Sequence, residues 1–204
     1  MIEAGAEPSD SDARRRRRSV ARWISILAHP FVLSVLLVAI AGSRVGTGAG
    51  ALQAVLLVVA ATIVPVSILI AVQMRRGRWS DPDASDPAQR PLLFVVALAV
   101  MVALLGWLLL HDPRSFLLRG MLATLALMVV AAGLIRWIKI SLHMAFAGMV
   151  AITLTLMGTW AGYVLLAVLP LLAWSRLTLS RHRPAEVALG LALGVLVGFA
   201  LVYS

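Results

Sequence analysis

The sequence predicts an all-α fold, a polytopic transmembrane helical bundle of about six or seven spans. Three observations predict it. Of 204 residues, 61% are hydrophobic and only 13% are charged, where an average soluble domain carries about 25% charged residues. Apolar runs close to the roughly 20 residues needed to cross a bilayer recur along the chain. Within those runs apolar residues are continuous and do not alternate with polar ones, so the pattern of a membrane β-barrel is absent.

Residues 1–20 are polar, with Glu3, Glu7, Asp10 and Asp12 followed by the run Arg14 to Arg18. They read as a disordered basic tail, and 21–204 as one membrane domain. A basic run before an apolar stretch, with Ala39-Ile40-Ala41 behind it, is also the pattern of a signal peptide. The length of the polar segment and the spans that follow favour the tail. Spans are predicted at 23–43, 50–73, 91–110, 116–135, 141–158, 160–175 and 185–203. Gly46, Gly48 and Gly50 mark the first turn. Asp112-Pro113 marks another, because proline disfavours helix in the residue before it. Gly158 and Gly162 bracket a third. Trp23, Trp79, Trp107, Trp137 and Trp174 fall near predicted helix ends, as an interfacial aromatic belt does.

The chain has no cysteine, which excludes disulfides, thiolate nucleophiles and cysteine-bound zinc. Its net charge of +9 would suggest nucleic acid in a soluble protein. Here the arginines lie in loops that meet anionic lipid and set topology, so no nucleic-acid partner is expected. In the seven-span arrangement fifteen of the eighteen basic residues lie on the amino-terminal side, against Arg44, Arg114 and Arg119 on the other. That bias predicts a cytoplasmic amino terminus. Seventeen of the eighteen are arginine, as in a GC-rich bacterial genome, which points to a bacterial inner membrane.

Three polar constellations interrupt the apolar chain. The first runs from Asp81 to Pro91 and ends in Arg90-Pro91, with proline suited to a first helical position. Asp83 and Asp86 read as solvated turn residues beside prolines. The second is Lys139-Ile140-Ser141-Leu142-His143, where Ser141 is a good N-cap. The third runs from Ser175-Arg176 through Arg181-His182-Arg183 to Glu186, with Pro184 entering the last span. Glu186 is the only acidic residue after Asp112, and ionisable groups beside membrane helices default to a functional reading. Two predicted spans separate each constellation from the next, so all three return to one face, the cytoplasmic one. His29 and His111 belong to no constellation.

Over about residues 78–195 these motifs resemble the type 2 phosphatidic acid phosphatase superfamily. Its signatures are Lys-x6-Arg-Pro, Pro-Ser-Gly-His and Ser-Arg-x5-His-x3-Asp. In the third, Ser175, Arg176 and His182 stand at the family spacing, with Glu186 in place of Asp. In the second, Ser141 and His143 match, while Ile140 and Leu142 replace Pro and Gly. In the first, Arg90 and Pro91 match, and Asp83 stands where the lysine belongs. The resemblance implies a phosphatidic acid phosphatase-like core and a metal-independent phosphatase, without cofactor, acting on a lipid or prenyl phosphate or diphosphate. It implies that His182 is the nucleophile, His143 the acid and base, and that Glu186 orients His182. Arg90, Arg176, Lys139 and Ser141 would bind phosphate, through guanidinium forks and the positive end of a helix. Transfer of the phosphoryl group to another lipid, or non-catalytic binding of a lipid phosphate, are the alternatives. The aspartates of the first loop do not fit a CDP-alcohol phosphotransferase, which needs a later aspartate pair that this chain lacks.

Overall fold

The computed structural model describes residues 10–45, 48–79, 90–112 and 114–203. They form α1 (Asp10–Leu27), α2 (Pro30–Val45), α3 (Gly48–Val58), a π-helical turn (Val59–Ile63), α4 (Val64–Arg75), α5 (Arg90–His111), α6 (Phe116–Leu134), α7 (Leu142–Leu156), α8 (Trp160–Thr178) and α9 (Pro184–Tyr203). No strand occurs among the described residues. Among the described residues four helices are long and apolar enough to cross a membrane: Gly50–Arg75, Phe116–Leu134, Trp160–Thr178 and Pro184–Tyr203. A fifth span results if Asp12–Leu27 and Pro30–Arg44 count as one broken helix.

The structure departs from the expected spans in ways that local chemistry explains. Residues 10–20, expected in a disordered tail, form the first half of α1. The expected span 23–43 breaks between α1 and α2 at Ala28-His29, because Pro30 disfavours helix at His29. The Phe31 N–H then donates to His29 Nδ1 (3.2 Å). The expected span 141–158 contains a helix of only 15 residues, α7. Midway through Gly50–Arg75, Pro65 has no N–H to offer the carbonyl four residues back, and the helix widens into its π-turn just before it. Trp23, Trp107 and Trp137 are exposed, whereas Trp79, expected in the aromatic belt, is buried.

The chain divides into two compact units, Met1–Leu33 with Val130–Val202, and Ser34–Val129 with Tyr203–Ser204. In the first, α7 is the central helix, buried from Met144 through Ala151 and again at Thr153 and Leu154. Helix α9 lies on it through Gly190, Gly194 and Gly198, four residues apart and so on one face. A Cβ at Gly190 would stand 2.5 Å from the Ser141 carbonyl oxygen, and one at Gly198 would stand 2.7 Å from that of Met149. One at Gly194 would stand closer still to the oxygen of Ala145. The two backbones therefore touch, as helices do in membranes where small residues repeat at this spacing. On α8, the Ser175 hydroxyl donates to the Ala21 carbonyl of α1 (2.6 Å). In the second unit α5 and α6 meet through Met101, Leu104, Leu108, Leu118 and Met121.

Candidate functional site

The third constellation is shaped by the end of α8 and the start of α9. Helix α8 closes with the Ser180 N–H donating to Leu177 O (3.0 Å) and the Arg181 N–H to Arg176 O (3.2 Å). This is the six-to-one, five-to-two pairing of a Schellman turn. Ser180 occupies its left-handed position at φ 54°, where glycine is the usual residue. The chain then turns through Arg181 and His182 into α9. Pro184 takes the first helical position, as expected, and Glu186 the third. From there the Glu186 carboxylate reaches back to accept the N–H of Arg183 (3.2 Å), the acidic half of a capping box.

The same carboxylate oxygen holds His182 Nδ1 at 2.9 Å. A carboxylate only accepts, so it fixes the proton on Nδ1 and leaves the Nε2 lone pair available. The His182 side chain is 7% exposed. Burial, together with the charges of Arg176 and Lys139, holds its pKa below the ordinary histidine value, against the opposing pull of the Glu186 hydrogen bond. A neutral ring at neutral pH follows.

Arg176 is buried, at 9% exposure, in the last turn of α8. Its Nη1 donates to the Ser25 hydroxyl of α1, which meets part of the demand of a charge taken out of water. Its charge acts on both His182 and His143. His143 is the second residue of α7 and lies within electrostatic reach of His182 as well. The start of α7 is tied to α9 by the Ser141 N–H, which donates to the Glu186 carbonyl (3.1 Å).

Ser141 occupies the N-cap position in extended conformation, as expected, but its side chain makes no capping bond. Its hydroxyl is wholly buried and has no hydrogen-bond partner. It is a polar atom held ready at the positive end of a helix. Lys139 is exposed on the approach to α7, and its charge acts on His182 and Glu186. Arg181 and Arg183 are exposed. The structure thus brings His182, Glu186, Arg176, His143, Ser141 and Lys139 into one region of the first unit. Arg90 begins α5 in the second unit; its side chain and the loop of Asp83 lie outside the described residues.

His29, which belongs to none of the three sequence constellations, joins this region in the structure. Its ring meets that of His143 edge to face, with centroids 5.3 Å apart and planes at 89°. Because Nδ1 accepts from Phe31 N–H, a neutral His29 carries its proton on Nε2. The signal was present. Ala21 and Ser25 are four residues apart on one face of α1, and His29 follows at the same interval just past the end of the helix. Those are the positions that meet Ser175, Arg176 and His143. No protein-family model, no curated protein and no solved structure matches the chain.

Proposed function

We propose that the protein is a membrane-embedded phosphatase acting on a lipid or prenyl phosphate or diphosphate through a phosphohistidine. The observation that supports this most is the hydrogen bond from His182 to Glu186 beside the buried charge of Arg176. A carboxylate-oriented imidazole with a free Nε2 is a nucleophile, and a guanidinium beside it suits the oxygens of a phosphoryl group.

In the first step Nε2 of His182 attacks the terminal phosphorus, the P–N bond forms and the bond to the ester or bridging oxygen breaks. His143 gives a proton to that leaving oxygen, which departs as the lipid alcohol from a monophosphate or as the lipid monophosphate from a diphosphate. In the second, water attacks phosphorus as His143 takes its proton, the P–N bond breaks, and inorganic phosphate leaves. Glu186 stabilises the positive imidazole of the intermediate, as a carboxylate does in other triads. Arrival of a phosphate dianion supplies the charge that favours protonated His143. Arg176, Lys139 and the hydroxyl and N–H groups at the start of α7 bind the oxygens, with Arg90 as a further guanidinium.

Counting the broken pair α1–α2, the apolar stretch Val95–His111 of α5 and the short helix α7 as crossings gives the seven-span arrangement. It returns Lys139–His143 and Arg176–Glu186 to the side of the amino terminus, the cytoplasmic side by the distribution of arginine. A carboxy-terminal reporter is then active outside the cytoplasm.

The deciding experiment incubates purified protein with a panel of lipid and prenyl phosphates and measures inorganic phosphate. Release by the wild type, its loss in His182→Ala, and an acid-labile phosphoryl group trapped on His182 are expected. Equal release by the His182→Ala protein would overturn the mechanism. Label appearing in a second lipid, and not in inorganic phosphate, would show transfer in place of hydrolysis.

A further inference from the structure

Beyond the histidine site, the first unit carries a groove of about 630 Å³ between α1 and α8, lined by Arg14, Arg17, Arg18, Trp174, Leu177 and Thr178. Arg14, Arg17 and Arg18 continue the face of α1 that Ala21 and Ser25 present to α8, since they recur at intervals of three and four residues. Arg15, Arg16 and Arg22 are on the same helix but do not line the groove. Arg17 lies over the Trp174 ring, its guanidinium carbon 5.7 Å from the centroid, a cation–π contact that keeps the side chain over the groove. The Ser175–Ala21 bond fixes the two helices at this point.

We infer that this groove binds the headgroup of an anionic phospholipid. Three guanidinium groups line it, together with Trp174, Leu177 and Thr178. Guanidinium forks match the oxygens of a phosphodiester. Trp174 and Leu177 provide the apolar floor that suits the junction of headgroup and acyl chain, where tryptophan is enriched. Helix α8 is one of the four helices able to cross a membrane, and the groove sits at its carboxy-terminal end, where a headgroup layer belongs. The groove is separate from the phosphatase reading and stands whether or not that reading does.

The test is native mass spectrometry of the purified full chain with equal phosphatidylglycerol and phosphatidylcholine. The wild type is expected to retain the anionic lipid in preference. The triple variant Arg14→Gln, Arg17→Gln, Arg18→Gln should lower that preference about tenfold or more. All three positions are exposed, so folding is not at stake, and a melting curve checks it. The variant Arg15→Gln, Arg16→Gln, Arg22→Gln removes the same charge from the same helix and should keep the preference. Equal retention of the two lipids by the wild type, or equal loss in both triple variants, would overturn the groove as a site.

Discussion

In the first unit α7 and α9 meet backbone to backbone; in the second α5 and α6 meet through long side chains. Gly190, Gly194 and Gly198 lay α9 on the carbonyls of Ser141, Ala145 and Met149. The α5–α6 contact instead rests on Met101, Leu104, Leu108, Leu118 and Met121, flexible side chains that adapt when a neighbour changes. The site lies where the slack is least. Glu186 and Ser141 are the amino-terminal residues of the two helices that touch, and the Ser141 N–H to Glu186 carbonyl bond joins them. A side chain one ångström out of place costs a catalytic constellation dearly, and close-packed backbones hold such positions better than methionine and leucine do.

The largest effect should therefore come from Gly194→Leu. Any side chain there meets the backbone at Ala145, and backbone cannot rotate aside. The detergent-solubilised protein is expected to lose its monodisperse elution peak. Leu104→Ala in the second unit, a buried leucine, should cost about 2–5 kcal/mol and lower the melting temperature while keeping the peak. If Gly194→Leu is no worse than Leu104→Ala, backbone contact is not what organises the first unit.

Arg176→Gln should come next. It keeps most of the side chain but removes the charge next to the histidines. Phosphate release is expected to fall about 100–1000-fold, the size of a lost transition-state donor. Ser25→Ala leaves the charge and removes its anchor, so a loss of about tenfold or less is expected, within the cost of a truncated hydrogen bond to a charged group. Kinetics on lipid phosphates, with a melting curve for each variant, separate the two. Equal activity of Arg176→Gln and wild type would remove the arginine from the site.

Much of this was legible in the sequence, because membrane helices announce themselves by continuous apolar runs and their ends by Pro, Gly and Ser. The all-helical fold, the capping geometry of Pro184 and Glu186 and the N-cap position of Ser141 follow from local chemistry alone. What was not legible depended on tertiary contact. His29 is distant in sequence from His143, and the two rings meet where α1 and α7 both pack on α8. Ser141 looked like a cap because serine usually is one; close packing with α9 leaves its hydroxyl buried and uncommitted. The repeat Gly190-xxx-Gly194-xxx-Gly198 marks a close-packing face of α9 in the sequence, but nothing local to it names α7 as the partner. Hydropathy also overran the break at His29, because a window averages across a single Pro-induced kink.

Effects on pH dependence should be smaller, and their sign is fixed. A nucleophilic His182 must be neutral, so activity is lost as pH falls through its pKa. That pKa lies below the ordinary value, so the acid limb of kcat/KM is expected below about pH 6.5. Lys139→Gln removes a charge that lowers it and should move the limb to higher pH. Glu186→Gln removes the influence that raises it and should move the limb to lower pH while reducing the rate. Movement of either limb in the opposite sense would show that His182 is not the group titrating.

The smallest effect tests the first unit against itself. Two of its helices end in the same Schellman pairing, α7 at Gly158 (φ 70°) and α8 at Ser180 (φ 54°). A left-handed residue with a Cβ costs about 1–2 kcal/mol. Ser180→Gly relieves that strain, but glycine loses roughly 0.5–1 kcal/mol more entropy on folding. A net gain between zero and about 1.5 kcal/mol is expected, read as a small rise in melting temperature. His182 is two residues further on, and strain kept beside a site commonly serves position. Phosphate release should then fall a few-fold as stability rises, measured on one preparation. A drop in stability would mean that Ser180 is not strained, and an unchanged rate would mean that the turn does not set the position of His182.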